Sequence, residues 1–342
     1  MSKWYDENGP ESDVVVSSRI RLARNFSDYK FASRIEEEDA KALVNSVIGC
    51  FQKDFTDGYT YYFMNNTNEN KRNALKEKRV ISSYLVGNKL GAAILSEDEG
   101  TSVLVNAEDH IRIQALCEGM DLQKCYAKAD TLDDYFDAHF DYAFDEKYGY
   151  KTSFPTNIGT GLRAGYTLHL PGICEARKLS QISTELARFG LNIKPVYGDN
   201  ETVYGNLYQV SNQKSLGHTE QDIIKDLDEI VTQLINQERG LRNAHYEKDR
   251  YLAEDMAYKS YGVLKYARKI SLKDAMTLLS ELMLGVSLNI ISTVSDEKIA
   301  FNRLLMEIQP AVLNNAVAKS MSVDDVDVLR AQYIRNNLPE IH

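Results

Sequence analysis

The sequence predicts an α+β fold, an antiparallel sheet flanked by helices, followed by an all-α C-terminal domain. Three observations lead there. Strand-like segments arrive in runs rather than alternating one for one with helices. Helical periodicities stand between those runs. Beyond about residue 218 no convincing strand run appears. The predicted division is a first domain over residues 1–240 and a helical domain over 241–342.

The strand set opens at Val14-Val15-Val16 and continues with Tyr59 to Phe63, Val80 to Val86, Gly91 to Leu95, Ser102 to Asn106 and Tyr166 to Leu170, all rich in β-branched or aromatic residues. Helical spacing of apolar residues marks Glu36 to Phe51, Thr131 to Phe144 and Glu175 to Phe189. Thr219 with Asp222 has the spacing of a capping box, after which Ile223, Leu227, Ile230, Val231 and Leu234 repeat at helical intervals. Ser271 with Asp274, and Ser322 with Asp325, predict two further helix starts. A polar stretch near Arg239 to Lys248 marks the passage into the helical domain.

Composition bounds the function. The chain has 342 residues, with Lys plus Arg 40 against Asp plus Glu 50, a formal net charge of −10. An acidic body argues against a general nucleic-acid binder, so any phosphate site must be a local basic cluster. Cys50, Cys117, Cys125 and Cys174 form no metal-ligand spacing and read as reduced thiols. No apolar run of membrane-spanning length occurs; Leu278 to Ile291 is broken by Glu281, Ser287 and Asn289. The opening MSKWYDENGP has no apolar signal core, so the expected location is cytoplasmic, with no membrane partner.

Four segments carry candidate chemistry. In Ser17-Ser18-Arg19-Ile20-Arg21-Leu22-Ala23-Arg24, an extended backbone puts Arg19 and Arg21 on one face and Ile20 and Leu22 on the other. Two guanidinium groups side by side suit a polyphosphate; the segment alone also fits the solvated face of an amphipathic strand. Asn106 to Gln114 sets Glu108, Asp109, His110 and Arg112 at a strand end, a site or a surface turn with local ion pairs. His110 alone reads as structural. Phe154 to Gly165 holds Gly159-x-Gly161, which lets backbone approach a ligand, with Arg163 two residues on. It matches neither a P-loop nor a full GxGxxG fingerprint. Lys194 to Glu201, with Gly198 and Asp199, reads as a loop able to close over a substrate, or as an ordinary loop.

Taken together, the order SSRIRLAR, NAEDHIRIQ, PTNIGTGLRAG, then YGDN and VSNQ closely resembles the ATP:guanidino phosphotransferases over residues 17 to about 217. The 16 residues before the first motif and the long helical tail resemble the protein-arginine kinase (McsB-type) branch rather than the kinases of small guanidino metabolites. The resemblance implies a guanidino-kinase catalytic domain that binds ATP through Ser17, Ser18, Arg19, Ile20 and Arg21, through Arg79 and Arg112, and through Arg163, Ala164, Gly165, Tyr166 and Thr167. It implies a further ATP and substrate loop of Lys194, Pro195, Val196, Tyr197, Gly198 and Asp199. Glu108 and Asp199 fall at the two acidic positions that grip the acceptor guanidinium. A guanidinium is a poor nucleophile, and two carboxylates can orient it while one takes its proton. Mg²⁺ is expected to arrive with the nucleotide.

Four positions depart from the family pattern. Phe154 stands where Cys is usual, Lys194 where a phosphate-binding Arg is usual, and Asp199 where many relatives have Glu. In the tail, Val326-Asp327-Val328-Leu329-Arg330-Ala331 resembles the RDxxRA phosphoarginine motif with its first Arg replaced, leaving Asp327 and Arg330 as candidate ligands. The expected function is transfer of the ATP γ-phosphoryl group to arginine side chains of proteins, in stress response and in marking proteins for Clp-type proteolysis. Implied partners are protein substrates with exposed arginine, a zinc-binding activator, a heat-shock repressor and a Clp-type unfoldase, with homodimerisation. Two alternatives are a kinase for a small guanidine such as free arginine, and an inactive adaptor that binds ATP or phosphoarginine.

Overall fold

A computed structural model describes residues 2–198, 202–294, 298–317 and 321–342. Its strands are β1 (Val15–Arg24), β2 (Tyr59–Phe63), β3 (Ala92–Ser96), β4 (Thr101–Val105), β5 (Ile111–Glu118), the short pair β6 (Phe144–Asp145) and β7 (Gly149–Tyr150), β8 (Leu162–His169), β9 (Leu191–Pro195) and β10 (Leu207–Asn212). Its helices are α1 (Glu37–Asp54), α2 (Glu69–Glu77), α3 (Ser83–Gly87), α4 (Leu122–Asp137), α5 (Pro171–Glu175), α6 (Leu179–Arg188), α7 (Glu220–Lys248), α8 (Arg250–Tyr266), α9 (Leu272–Ser287), α10 (Phe301–Glu307), α11 (Pro310–Val317) and α12 (Val323–Asn337).

Eight strands form one sheet in the order β2-β3-β4-β5-β1-β8-β10-β9, antiparallel throughout. Period-2 alternation divides its faces. One face presents Ile20 and Leu22 of β1, Ile111 and Ile113 of β5, Ala164 and Tyr166 of β8, and Tyr208 and Val210 of β10. These pack with apolar residues of α1, α4 and α7 in the largest core. On the second face, Leu95, Leu104 and Leu116 pack with Trp4, Leu75 and Leu85. Polar residues of β5, β1, β8, β10 and β9 occupy the rest of that second face. The tail helices make their own core, joined to the sheet through Val16 and Leu207.

Several expectations need correction. Val80 to Val86 is no strand: Val80 and Ile81 are buried in a turn, and Ser82 caps α3 by accepting the Leu85 N–H at 3.2 Å. The Thr131 to Phe144 helix instead spans Leu122–Asp137, started by Asp121, whose carboxylate accepts from Lys124 N–H at 2.9 Å. Glu175 to Phe189 is split into α5 and α6 around Arg177, whose φ of +56° breaks the helix. The strands β5, β9 and β10 were absent from the expectation. Capping boxes at Thr219/Asp222 and Ser322/Asp325 do form. Helix α7 runs unbroken through residues 240 and 241, and its buried Arg242 donates to the His169 carbonyl at 2.7 Å while pairing with Glu238.

Candidate active site

The site is a consequence of strand register. On the second sheet face, Arg21 of β1 stands directly opposite Arg163 of β8, and Arg19 opposite Gly165. Ala23 pairs with Arg112 of β5, and Arg21 with Gln114. Thr167 pairs with Gln209 of β10, which in turn pairs with Lys194 of β9. Like charges opposed across two strands are unfavourable unless an anion lies between them.

A cavity of about 300 Å³ opens over this face, lined by Arg21, Arg112, Arg163, Lys194, Glu108, Phe154, Asn157 and Gln209 among others. Its cations outnumber its anions: of the lining residues only Glu108 is acidic, and it pairs with Arg112. The Arg21 Nε is buried without a hydrogen-bond partner. Burial, then the charges of Arg112, Arg163 and Arg79, push the Arg21 guanidinium down to about 9. Burial, then Arg21, Arg79 and Arg112, hold Arg19 well below the ordinary arginine range. Burial and Arg112 lower Arg163 as well. All remain cations at neutral pH, so the face is preorganised for a polyanion.

The cations are held in place rather than loose. Arg163 Nη1 donates to the Asn212 carbonyl at 2.5 Å. Arg19 Nε donates to Gln114 Oε1 at 3.1 Å, and Gln114 Nε2 donates to the Arg79 carbonyl at 2.7 Å. Arg79 reaches in from the end of α2, its Nη1 donating to Thr167 Oγ1 at 2.9 Å and its Nη2 to Gln209 Oε1 at 3.1 Å. Lys194 is exposed and forms no ion pair among the described residues. Gly161, with φ of +68°, lets β8 approach β1: a Cβ there would lie 2.6 Å from the Ala23 carbonyl oxygen.

Glu108 projects from the tight turn between β4 and β5. Its Oε1 accepts from Arg112 Nη1 at 2.9 Å, and its Oε2 from Ser82 Oγ at 3.0 Å. Its neighbours are structural. Asp109 is fully buried, accepting from Asn25 and from the Ser153 N–H. His110 accepts the Phe26 N–H on Nδ1 at 2.9 Å and reaches the Lys30 carbonyl through Nε2 at 2.8 Å.

Other expected residues lie elsewhere. Ser18, Ile20, Ala164 and Tyr166 face the helical side: Ser18 Oγ donates to the Gly119 carbonyl, and Tyr166 OH to Asp228. Ser17 Oγ is buried and unpartnered. Pro195 pairs with Tyr208. Val196 and Tyr197 turn away to pack on the tail core, and Gly198 bridges Val203. Asp199 lies outside the described residues. In the tail, Arg330 is 1% exposed, and its guanidinium donates to the Ile308 and Ile270 carbonyls and to Asp327. Asp327 also borders a separate cavity of about 530 Å³ with Lys269 and Asp274.

Sequence reasoning missed Ser82 and Gln114, which hold Glu108 and Arg79, and Gln209, Asn192 and Ser211, which line the cavity. Of these, Gln114 carried a signal. Arg112 and Gln114 alternate with Ile111 and Ile113, as Arg19 and Arg21 alternate with Ile20 and Leu22.

Comparison with known proteins bears on this arrangement. Residues 40–241 match the family model described as ATP:guanido phosphotransferase, C-terminal catalytic domain. Residues 250–342 match the Protein-arginine kinase McsB C-terminal domain. The Protein-arginine kinase of Bacillus subtilis (strain 168) is 39% identical over 341 residues, covering 99% of this chain and 93% of that protein. The Protein-arginine kinase of Bacillus cereus (strain AH187) is 39% identical over 345 residues, covering 99% and 96%. Among solved structures, the duplicated taurocyamine kinase from Schistosoma mansoni with bound transition state analog components superposes with a TM-score of 0.62 at 24% identity, over 70% of this chain and 35% of that one. Lombricine kinase gives 0.60 at 18% identity over 70% of each chain. At these identities the two structures speak for the fold alone.

Proposed function

This chain belongs to the ATP:guanido phosphotransferase family, and from that premise we infer that it is a protein-arginine kinase, transferring the γ-phosphoryl group of ATP to arginine side chains of proteins. The observation that carries the reading is one cavity shared by Arg21, Arg112 and Arg163 with the carboxylate of Glu108. The full-length likeness to protein-arginine kinases and the matching tail favour a protein acceptor over a free guanidine.

In this reading Arg21, Arg112, Arg163 and Lys194 bind the phosphates, with Arg19 and Arg79 behind them. Glu108 orients the acceptor guanidinium, helped by Asp199. The acceptor nitrogen forms the N–P bond, the bond from the γ-phosphorus to the β,γ-bridging oxygen breaks, and ADP leaves with that electron pair. The proton lost by the nitrogen passes to a carboxylate, Glu108 in the simplest arrangement. In-line alignment and charge neutralisation carry most of the acceleration. The cavity's charged side chains are cationic apart from Glu108, which Arg112 and Ser82 already engage, and no three His, Cys, Asp or Glu side chains cluster as a metal site among the described residues. That set suits Mg²⁺ carried on the phosphates, where it supplies charge neutralisation.

The division into residues 1–240 and 241–342 is retained as a functional one, catalysis in the first and binding in the second. Asp327, at the edge of its cavity, remains a candidate phosphoarginine ligand, whereas Arg330 is committed to internal acceptors. Family likeness supports a cytoplasmic homodimer acting in stress response with a zinc-binding activator, a heat-shock repressor and a Clp-type unfoldase. The test compares transfer from γ-labelled ATP into an unfolded arginine-rich protein and into free arginine. Preferential labelling of the protein supports the reading; preferential labelling of the free amino acid overturns it.

A further inference from the structure

The end of α2 carries three consecutive residues with three destinations. Glu77 Oε2 accepts the backbone N–H groups of Ala311 and Val312, at 2.6 and 3.1 Å, where α11 begins. Lys78 Nζ lies 2.9 Å from Glu307 of α10 and 3.1 Å from Glu99. Arg79 turns the other way, onto Thr167 and Gln209 on the cation face.

Glu77 and the Lys78–Glu307 pair reach the tail, and Arg79 reaches the site. Glu77 is the last residue of α2, where a carboxylate opposes the dipole of its own helix. It is also half-buried, and burial pushes its carboxyl up from the ordinary range. Two amide donors at the positive end of α11 offset both penalties. The α10–α11 junction is braced in turn by Arg330, whose Nε donates to the Ile308 carbonyl at 3.0 Å.

Arg79 itself sits at φ +62°, a left-handed backbone that glycine ordinarily fills. The Arg79 N–H donates to the Lys76 carbonyl at 2.8 Å, and the Val80 N–H to the Leu75 carbonyl at 3.1 Å. These two bonds close a Schellman motif with arginine in the glycine position. An arginine kept in that conformation needs its surroundings to hold it.

We propose that the tail positions Arg79. Glu77 and Lys78 pin the end of α2 to α10 and α11, and this fixes the corner from which Arg79 reaches Thr167 and Gln209, behind the phosphate-binding cations. Glu77 is a positioning residue that acts through Arg79. The proposal rests on the nucleotide-binding reading of Arg79, and it makes the tail part of the ATP site without contact to ATP.

The test is a double-mutant cycle on the full chain, read as Mg-ATP affinity by calorimetry with no acceptor present. Glu77→Ala should weaken binding about tenfold, as loss of a charged hydrogen-bond partner does. In an Arg79→Ala background the same change should cost less than about twofold. Glu77→Gln, which keeps an acceptor oxygen for α11, should restore most of the affinity. Glu307→Gln, made from the tail side at a partly exposed position, should weaken binding in the same direction by less, and again only while Arg79 is present. Equal losses with and without Arg79, or no loss in either Glu77→Ala or Glu307→Gln, would overturn the proposal. Because the readout is nucleotide affinity, a coupled cycle in a chain that labels no protein arginine would sink the acceptor assignment and leave this inference standing.

Discussion

Arg21 and Arg163 are direct cross-strand partners on the open face of β1 and β8. Two permanent cations in that register destabilise the unliganded fold, and the buried Arg21 Nε has no partner to relieve it. The arrangement stores repulsion that a polyphosphate releases. Arg21→Met should therefore raise the melting temperature of the ligand-free protein while lowering phosphoryl transfer by about 10²–10³. Calorimetry paired with a transfer assay checks both signs, and a variant that is destabilised yet active would contradict the account.

Glu108 is already engaged by Arg112 and Ser82, so the acceptor guanidinium must displace or share those contacts. Glu108→Ala should abolish turnover with little change in ATP affinity. Ser82→Ala leaves the carboxylate in place but less well oriented, and should lower kcat by about tenfold, the scale of one modest orienting hydrogen bond. Steady-state kinetics with protein substrate separate the two effects.

Arg79→Gly relieves the left-handed backbone strain at the end of α2, worth about 1–2 kcal/mol, and removes the hydrogen bonds to Thr167 and Gln209. Stability should hold or improve while nucleotide affinity drops at least about tenfold. A melting curve and an ATP titration on one preparation decide it; a destabilised variant with normal affinity would show that Arg79 serves the fold.

His110 and His169 make stability fall on the acid side. The Phe26 N–H donates to His110 Nδ1, so that nitrogen carries no proton, and burial lowers its affinity for one. His169 is fully enclosed, and burial, then Arg242, hold it well below the ordinary histidine range. In the unfolded chain both titrate near about 6.5. Below that pH the unfolded chain binds protons that the folded one does not, so stability is lost as pH falls toward the folded values. Each histidine contributes up to about 1.4 kcal/mol per pH unit in that window. Denaturant midpoints should be flat above neutrality and decline below it; a flat profile down to about pH 5.5 would contradict the neutral assignment.

Arg330 is a structural tie across the tail. Arg330→Ala leaves the Ile308 and Ile270 carbonyls and Asp327 without their buried donor. Loss of about 3–5 kcal/mol is expected, read as a large drop in unfolding midpoint. A variant of near-native stability that loses only phosphoarginine binding would return Arg330 to the ligand role.

The sequence was most legible where physical constraint is local. The alternation in SSRIRLAR predicted that Arg19 and Arg21 share a face opposite Ile20 and Leu22, and β1 bears this out. Capping pairs located the starts of α7, α9 and α12. What stayed hidden is non-local. Val80 and Ile81 have strand composition, yet tertiary burial and the Ser82 cap make the segment a turn and a helix. Ala164 and Tyr166 sit in one motif with Arg163, yet the pairing of β8 with β1 turns their side chains to the helical face. Gln114 and Gln209 hold the arginines in place by hydrogen bonds that depend on register, which composition does not reveal.

The most direct measurement is mass spectrometry of an unfolded arginine-rich protein after incubation with this chain and Mg-ATP, under conditions that preserve acid-labile phosphate. The account predicts N-phosphorylated arginine on that protein, absent when the Glu108→Ala chain is used. Phosphate found on hydroxyl side chains or on free arginine alone, or undiminished by the Glu108 change, would contradict it.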